Sequence, residues 1–319
     1  MLENQLSRYG ALSRIIPDLA PSAKVFLVGD SDDTTYGIEN LAAEYPVDKD
    51  GIVRVYNTIQ SAVNACRVNC GDVILVAPNY NQSLISADSW NVAGVRIVGM
   101  GQGEQRAKLT FDIAGATVNL GANAVCVSNI MFKASVSGIT RALDLDTGFS
   151  GQKVDNCVFT YDTNGDDFIT SIRIGSKNAI VEKNGIIMED TAGPRQGIAL
   201  LGGEAQEVII RDNVIIGQFD TVADASGQSF GAISQDTSDI SNTNLRGVLI
   251  ENNKIINYDT AGAIHIRFSA GYTNRGLITG NRVASYDTSS IVSGQVARTG
   301  LRMTNNIGNS DSAEAVLLG

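Results

Sequence analysis

A chain of 319 residues that is 43% hydrophobic can bury one continuous core, which excludes global disorder. Its formal net charge of −10 excludes a nucleic-acid clamp, because such proteins need a basic face to displace counterions from phosphates. No run approaches the roughly 18 uninterrupted apolar residues of a membrane span, and the opening MLENQLSRYG lacks the basic-then-apolar order of a secretory leader. The expectation is a protein made in a cytoplasm, with neither membrane nor nucleic acid as a partner.

The first element is an apolar set, Tyr9, Leu12, Ile15, Ile16 and Leu19, interrupted by Pro17 and Pro21. Such a segment reads either as an arm that docks on another chain or as a lid on the rest of this one, and residues 1–55 are assigned to it. Next, Thr58 predicts the cap of a short amphipathic helix with Ile59, Ala62, Val63 and Cys66 on its apolar face. The helix leads through Gly71-Asp72 into a buried strand, GDVILVAPN. Cys66 and Cys70 read as one turn apart on that helix, while Cys126 and Cys157 fall in apolar strand-like runs. All four read as free thiols, since Cys-x3-Cys without a second pair is poor zinc spacing.

From residue 56 to 319 the chain repeats itself. The phrase Tyr161-Asp162-Thr163 recurs as Glu189-Asp190-Thr191, Phe219-Asp220-Thr221, Tyr258-Asp259-Thr260 and Tyr286-Asp287-Thr288. Each Asp follows an Asn at nearly constant distance: Asn156, Asn184, Asn213, Asn253 and Asn281, with Asn129 and Asn306 extending the series. The third residue before the Asn is apolar except at Lys153. Units of about 28 residues, made of short β-branched runs separated by Gly, Asn and Asp, predict a solenoid of strands, since they leave no room for two helices per unit. The expectation is an all-β chain wound as a single-stranded right-handed parallel β-helix, right-handed because parallel crossovers are. In it the Asn would turn corners in the left-handed region and stack along the axis, the Asp-Thr would cap turns, and the aromatics before the Asp would stack on one another. One step is longer by about 11 residues, which predicts a loop within Ala223 to Gly247.

Candidates for chemistry are few. His265 and Arg267 alternate onto one face of AIHIRF and read as an outward polar pair. DTNGDDFIT, Asp162 to Thr170, begins like a calcium loop, but Asp167 stands where the turn glycine belongs and Arg173 where the closing Glu belongs. No catalytic residue, metal or cofactor is assigned, and the expectation is that the protein is not an enzyme.

Two resemblances add to this. YNTIQSAVNACRVNCGDVILVAPN resembles the first coil of pectin-lyase-like right-handed parallel β-helix proteins, where an amphipathic helix ends in Gly-Asp before the first strand. LSRYGALSRIIPDLAPSAKVFLVGDSDD, followed by YPVDKDGIVRVYNTIQSAV, is similar to structural proteins of tailed bacteriophages encoded near the major capsid protein. The second resemblance implies a virion protein that decorates the shell as a homotrimer, with the major capsid protein as partner of the N-terminal arm. The alternative within the same architecture is a tailspike-type polysaccharide-degrading enzyme that recognises host surface glycans.

Overall fold

The computed structural model describes residues 23–30, 54–163, 165–188, 196–219, 231–236, 244–258, 265–268, 273–285, 301–310 and 313–318. Within them the chain winds a right-handed parallel β-helix of three sheets. One coil runs through Cys126–Ser128 in sheet A, Met131–Ala134 in sheet B and Ile139–Leu145 in sheet C, then returns to sheet A at Lys153–Asp155. Every strand of these coils pairs in parallel with its counterpart one coil on, so Cys126, Lys153, Ile180 and Ile209 lie in register at steps of 27, 27 and 29 residues. Sheet A starts upstream of residue 56, because Val25–Val28 pairs in parallel with Val73–Val76 on one side and Val55–Tyr56 on the other. At the far end the parallel run stops where Ala313–Leu318 turns antiparallel against Asn306–Ser310.

The capped helix is present at Ile59–Ala65. The Thr58 hydroxyl oxygen accepts the Ser61 amide at 3.1 Å, and Ile59, Ala62 and Val63 are buried. The helix ends before its second cysteine. Cys66 occupies the C-cap in extended backbone, so Cys66 and Cys70 do not share a helix as expected; all four cysteines are free. Asp72, immediately before the first long strand, fixes this entrance. Its buried carboxylate accepts the Lys24 amide at 2.7 Å, the Arg67 amide at 2.8 Å and the Arg67 guanidinium at 2.6 Å. Burial alone would raise its pKa, but these donors outweigh burial and hold the carboxyl below its ordinary range.

The core is built from columns. Val127, Val154, Val181, Ile210 and Ile250 form one inward column of sheet A, and Phe132, Phe159, Ile186, Ile215 and Ile255 one of sheet B. Phe132 and Phe159 stack with centroids 4.8 Å apart and planes 6° from parallel. This aromatic pair lies in the interior; of the rings before each Asp, Phe219 is also buried and Tyr286 lies outside the described residues.

This register corrects the asparagine series. Two adjacent positions form the corner between sheets A and B. The first is left-handed and is held by Asn129, Asn156, Lys183, Asp212, Asn252, Gly280 and Asn305. The second points inward and is held by Ile130, Cys157, Asn184, Asn213, Asn253, Asn281 and Asn306, all buried. The expected series joined the outer residue of two coils to the inner residue of five. With the slip removed, Val154 takes the inward place and Lys153 is no exception. From Asn184 onward the inner residues form a hydrogen-bonded ladder. Nδ2 of Asn184, Asn213, Asn253 and Asn281 each donates to Oδ1 of the next at 2.9–3.0 Å. Each of these Nδ2 groups also reaches a backbone carbonyl, such as Val181 O from Asn213 at 3.0 Å.

The long step is also more structured than expected. Gly231–Asp236, inside the segment assigned to a loop, is a strand of sheet C paired with Gln196–Leu201. The extra residues enter on both sides of it: Gly185 to Val214 is a step of 29, Gln196 to Gly231 a step of 35, and Ile209 to Leu249 a step of 40.

Candidate functional site

Parallel register turns side chains of one parity into straight rows on the outside of each sheet. On sheet A one outward row reads Ser128, Asp155, Glu182, Arg211, Glu251 in successive coils, and the row beside it carries Cys126 and Lys153. Three carboxylates and two cations thus meet on one face. Glu182 is at the centre and is only 5% exposed. Lys153 Nζ reaches its Oε1 at 2.7 Å from one side, and Arg211 NH2 its Oε2 at 2.6 Å from the other. Asp155, one rung back, accepts the Ser128 hydroxyl at 3.0 Å and lies 3.8 Å from Lys153 Nζ. Glu251, two rungs on, meets Arg211 NH1 at 3.9 Å.

Burial acts to raise the Glu182 pKa, and the hydrogen bonds and charges of Lys153 and Arg211 overcome it, so the carboxyl titrates below its ordinary range. Desolvation pulls the Lys153 pKa down, but Glu182 and Asp155 outweigh it and raise it. Glu182 is therefore an anion and Lys153 a cation at neutral pH. Burial and the nearby Asp155 push the Cys126 thiol, in the same row as Lys153, up to about 12, so it is no nucleophile.

A second polar cluster lies on sheet C. Arg173 grips Asp144 through Nε at 2.9 Å and NH2 at 2.7 Å, and Arg141 NH1 adds a contact at 3.3 Å. Thr170 donates to Gln196 and Gln196 to Ser234 at 3.0 and 2.9 Å. Asp144, Arg173, Gln196 and Ser234 are all buried, as Glu182 is, but only the sheet A row keeps cations more than a third exposed, Lys153 and Arg211.

The residues singled out by sequence fare differently. His265 is 1% exposed, so it is no outward partner of Arg267; its Nε2 lies 2.8 Å from the Ala284 carbonyl, and burial lowers its pKa. The calcium-like segment spends its carboxylates internally: Asp162 pairs with Lys133 at 2.6 Å, Asp166 accepts from Thr163, and Asp167 accepts the Gly138 amide. Among the described residues no three His, Cys, Asp or Glu side chains gather as metal ligands. The remaining turn residues Asp190, Asp220, Asp259 and Asp287 lie outside the described residues, as do Tyr9, Leu12, Ile15, Ile16 and Leu19 of the expected arm. The sheet A row was missed. Its signal was present, because Asp155, Glu182, Arg211 and Glu251 recur at the coil step once the one-residue slip is removed.

No family model matches the chain, and no curated protein matches it. Among solved structures it is similar to an alginate lyase from Paenibacillus sp. str. FPU-7, at 15% identity and a TM-score of 0.50, over 80% of this chain and 93% of that one. It is also similar to the PL6 family alginate lyase AlyGC, at 16% identity and a TM-score of 0.44. A third is the tailspike protein of E. coli bacteriophage HK620 in complex with pentasaccharide, at 14% identity and a TM-score of 0.48. The chain spans 36% and 63% of the lengths of these last two. At such identities the likeness is one of fold, the parallel β-helix. The expectation that the chain is not an enzyme does not stand, since the Paenibacillus alginate lyase has this fold over 93% of its length.

Proposed function

We propose that the protein is a polysaccharide-degrading enzyme acting by hydrolysis, with the outer face of sheet A as its active surface. The observation that carries this reading is the row of carboxylates Asp155, Glu182 and Glu251 laced with Lys153 and Arg211 on consecutive coils. Glycoside hydrolysis needs two carboxyl groups, about 5–5.5 Å apart for retention or 6.5–9.5 Å for inversion. Coils about 4.8 Å apart place Glu182 one rung from Asp155 and two rungs from Glu251.

The roles follow from the contacts. Glu182, held as an anion by two cations, is the base that activates water. Asp155 is held by Ser128 and flanked by Lys153, so it positions Lys153 rather than donating a proton. Glu251, a quarter exposed and 3.9 Å from Arg211, is the second carboxyl that such a pair requires. Arg211, between the two, aligns them and can hold sugar hydroxyls through the guanidinium edges facing solvent.

Hydrolysis is favoured over elimination on two grounds. Elimination from a uronate needs a base at its α-carbon, and Lys153 holds its proton more tightly than an ordinary lysine, not less. The chain also carries a net charge of −10 and the site three carboxylates against two cations, which repels a polyuronate. A neutral polysaccharide is the substrate class this charge supports, and the phage-like N-terminal sequence suggests a bacterial surface glycan. Shell decoration, the other reading of that resemblance, depends on the arm residues outside the described structure.

The test is product analysis on neutral and uronate-containing bacterial polysaccharides. Release of reducing ends without the ultraviolet absorbance of an unsaturated uronate supports hydrolysis. Appearance of that absorbance makes the enzyme a lyase, and no cleavage across the panel overturns the reading.

A further inference from the structure

A parallel β-helix ends in edge strands, whose outer backbone N–H and C=O groups need partners. At the far end the chain closes sheet B itself, laying Ala313–Leu318 antiparallel on Asn306–Ser310. At the near end the three sheets differ. Sheet A is continued past Val73–Val76 by Val25–Val28 and Val55–Tyr56. Sheet C begins at Asp88–Trp90, where the Asp88 amide donates to the Thr117 carbonyl and the Trp90 carbonyl accepts from Gly121, so the N–H and C=O of Ser89 point the other way, off the end of the coil. Gln60 of the entrance helix covers them. Its Oε1 accepts the Ser89 amide at 2.7 Å and its Nε2 donates to the Ser89 carbonyl at 2.9 Å, as a neighbouring strand would.

Sheet B begins at Asn81–Leu84, and there the edge is open. The Tyr80 carbonyl accepts from the Lys108 amide at 2.7 Å and the Leu84 carbonyl from the Asp112 amide at 3.1 Å, so Tyr80, Gln82 and Leu84 face the next coil. Alternation turns the N–H and C=O of Asn81 and Ser83 away from it, where they meet no partner among the described residues. The entrance helix rests on sheets A and C and meets this strand at the Gln82 side chain, whose Oε1 accepts the Ile59 amide at 3.3 Å. The strand is as long as the three that follow it in sheet B, and it lacks the charge, proline or bulge that guards an exposed edge. Asn81 and Ser83 are exposed, and Ile85, just beyond, is 71% exposed.

Two peptide groups at strand spacing, each offering a donor and an acceptor, are complementary to the backbone of another extended chain. The side chains narrow the choice. Asn81 and Ser83 point outward and favour hydroxyl or amide neighbours, while Ile85 favours an aliphatic one. Asp112, which accepts the Ser83 hydroxyl, disfavours an acidic segment. The exposure of Asn81, Ser83 and Ile85 shows that this chain leaves the edge uncovered, so the added strand comes from elsewhere. We infer that the Asn81–Leu84 edge is a strand-addition site for an extended segment of a separate polypeptide, neutral or basic, with Ser, Thr or Asn beside Asn81 and Ser83 and an aliphatic residue on Ile85. The site uses no residue of the sheet A row, so it stands or falls apart from the catalytic reading.

The test is amide hydrogen exchange, read residue by residue by NMR on the full chain, alone and with the capped peptide Thr-Ala-Thr-Val-Ile-Lys. Alone, Asn81 and Ser83 are expected to exchange as an open chain does, and Ser89, under Gln60, about tenfold slower or more. The peptide is expected to slow Asn81 and Ser83 by about tenfold or more, saturably with its concentration. The same peptide N-methylated on the amides that face the edge keeps every side chain and is expected to have no effect. Ser83→Pro removes one donor without breaking a ladder bond, since proline is accepted on an edge whose N–H faces solvent. It is expected to keep the wild-type melting temperature and to lose the peptide's effect on Asn81. Slow exchange at Asn81 and Ser83 in the chain alone overturns the inference, because the edge is then already covered; protection that grows with protein concentration assigns the cover to a second copy. Equal protection from the N-methylated peptide, or none from the unmodified one, also overturns it.

Discussion

The outer faces of sheets A and B rise from the same coils and share one interior, yet they have opposite chemistry. Sheet A presents Asp155, Glu182 and Glu251 tied to Lys153 and Arg211, whereas sheet B presents Met131, Val158, Ile187 and Val214 with cations at the ends. The fold constrains only the inward residue of each pair, so the outward residues are free to carry function. A β-helix can therefore specialise one face for chemistry and leave another apolar without altering its core.

Both faces should fail together when a rung they share is removed. Asn213→Ala takes the acceptor from the buried Asn184 backbone amide and from the Asn184 side-chain Nδ2. At about 1–3 kcal/mol per unsatisfied group, the loss should be about 2–6 kcal/mol in denaturant unfolding. Next comes acid, which should separate the faces. The Glu182 carboxyl binds its proton less tightly folded than unfolded, so its contribution is present at neutral pH and is lost as pH falls below its ordinary value of 4.5. Asp72 acts in the same window with the same sign. His265 adds an earlier loss beginning near its ordinary 6.5, because the buried ring is neutral in the fold. The parallel strands of sheet B, without carboxylates, contribute nothing to this titration. Thermal melts across pH 3–7 at fixed salt read the combined decline.

Smaller effects extend the contrast. Arg211→Met should cost about 0.5–1 kcal/mol at low salt and less at high salt, since Arg211 and Lys153 are more than a third exposed to screening. Ile187→Ser, on sheet B, should leave single-chain stability within about 0.5 kcal/mol. A large loss there would mean that Ile187 supports the coil rather than facing solvent.

Much of the fold was legible because it repeats. Short β-branched runs at a constant step predict stacked parallel strands, and Thr58 with the spacing of Ile59, Ala62 and Val63 predicts the entrance helix. The corner was harder, because two adjacent positions both accept Asn for different reasons. The outer one tolerates a left-handed backbone and the inner one needs an amide that can donate and accept. The doublets Asn252-Asn253 and Asn305-Asn306 show both positions filled at once, and the misfit at Lys153 was the trace of the slip. That slip hid the sheet A row, since only the correct register aligns Asp155 with Glu182 and Arg211. His265 was misjudged because alternation assigns a strand one wet face, and around His265, Ile266 and Phe268 both faces are buried.

Everything proposed for sheet A turns on Glu182 as the base of a glycan-cleaving site. The decisive quantity is the rate of reducing-end release by Glu182→Gln beside the wild type, on the polysaccharide the wild type cleaves, with both proteins at equal mass and melting profile. Removing a general base should lower the rate about 10²–10⁴-fold. A folded Glu182→Gln that cleaves at the wild-type rate would remove Glu182 from the chemistry and leave the row as a surface ion network.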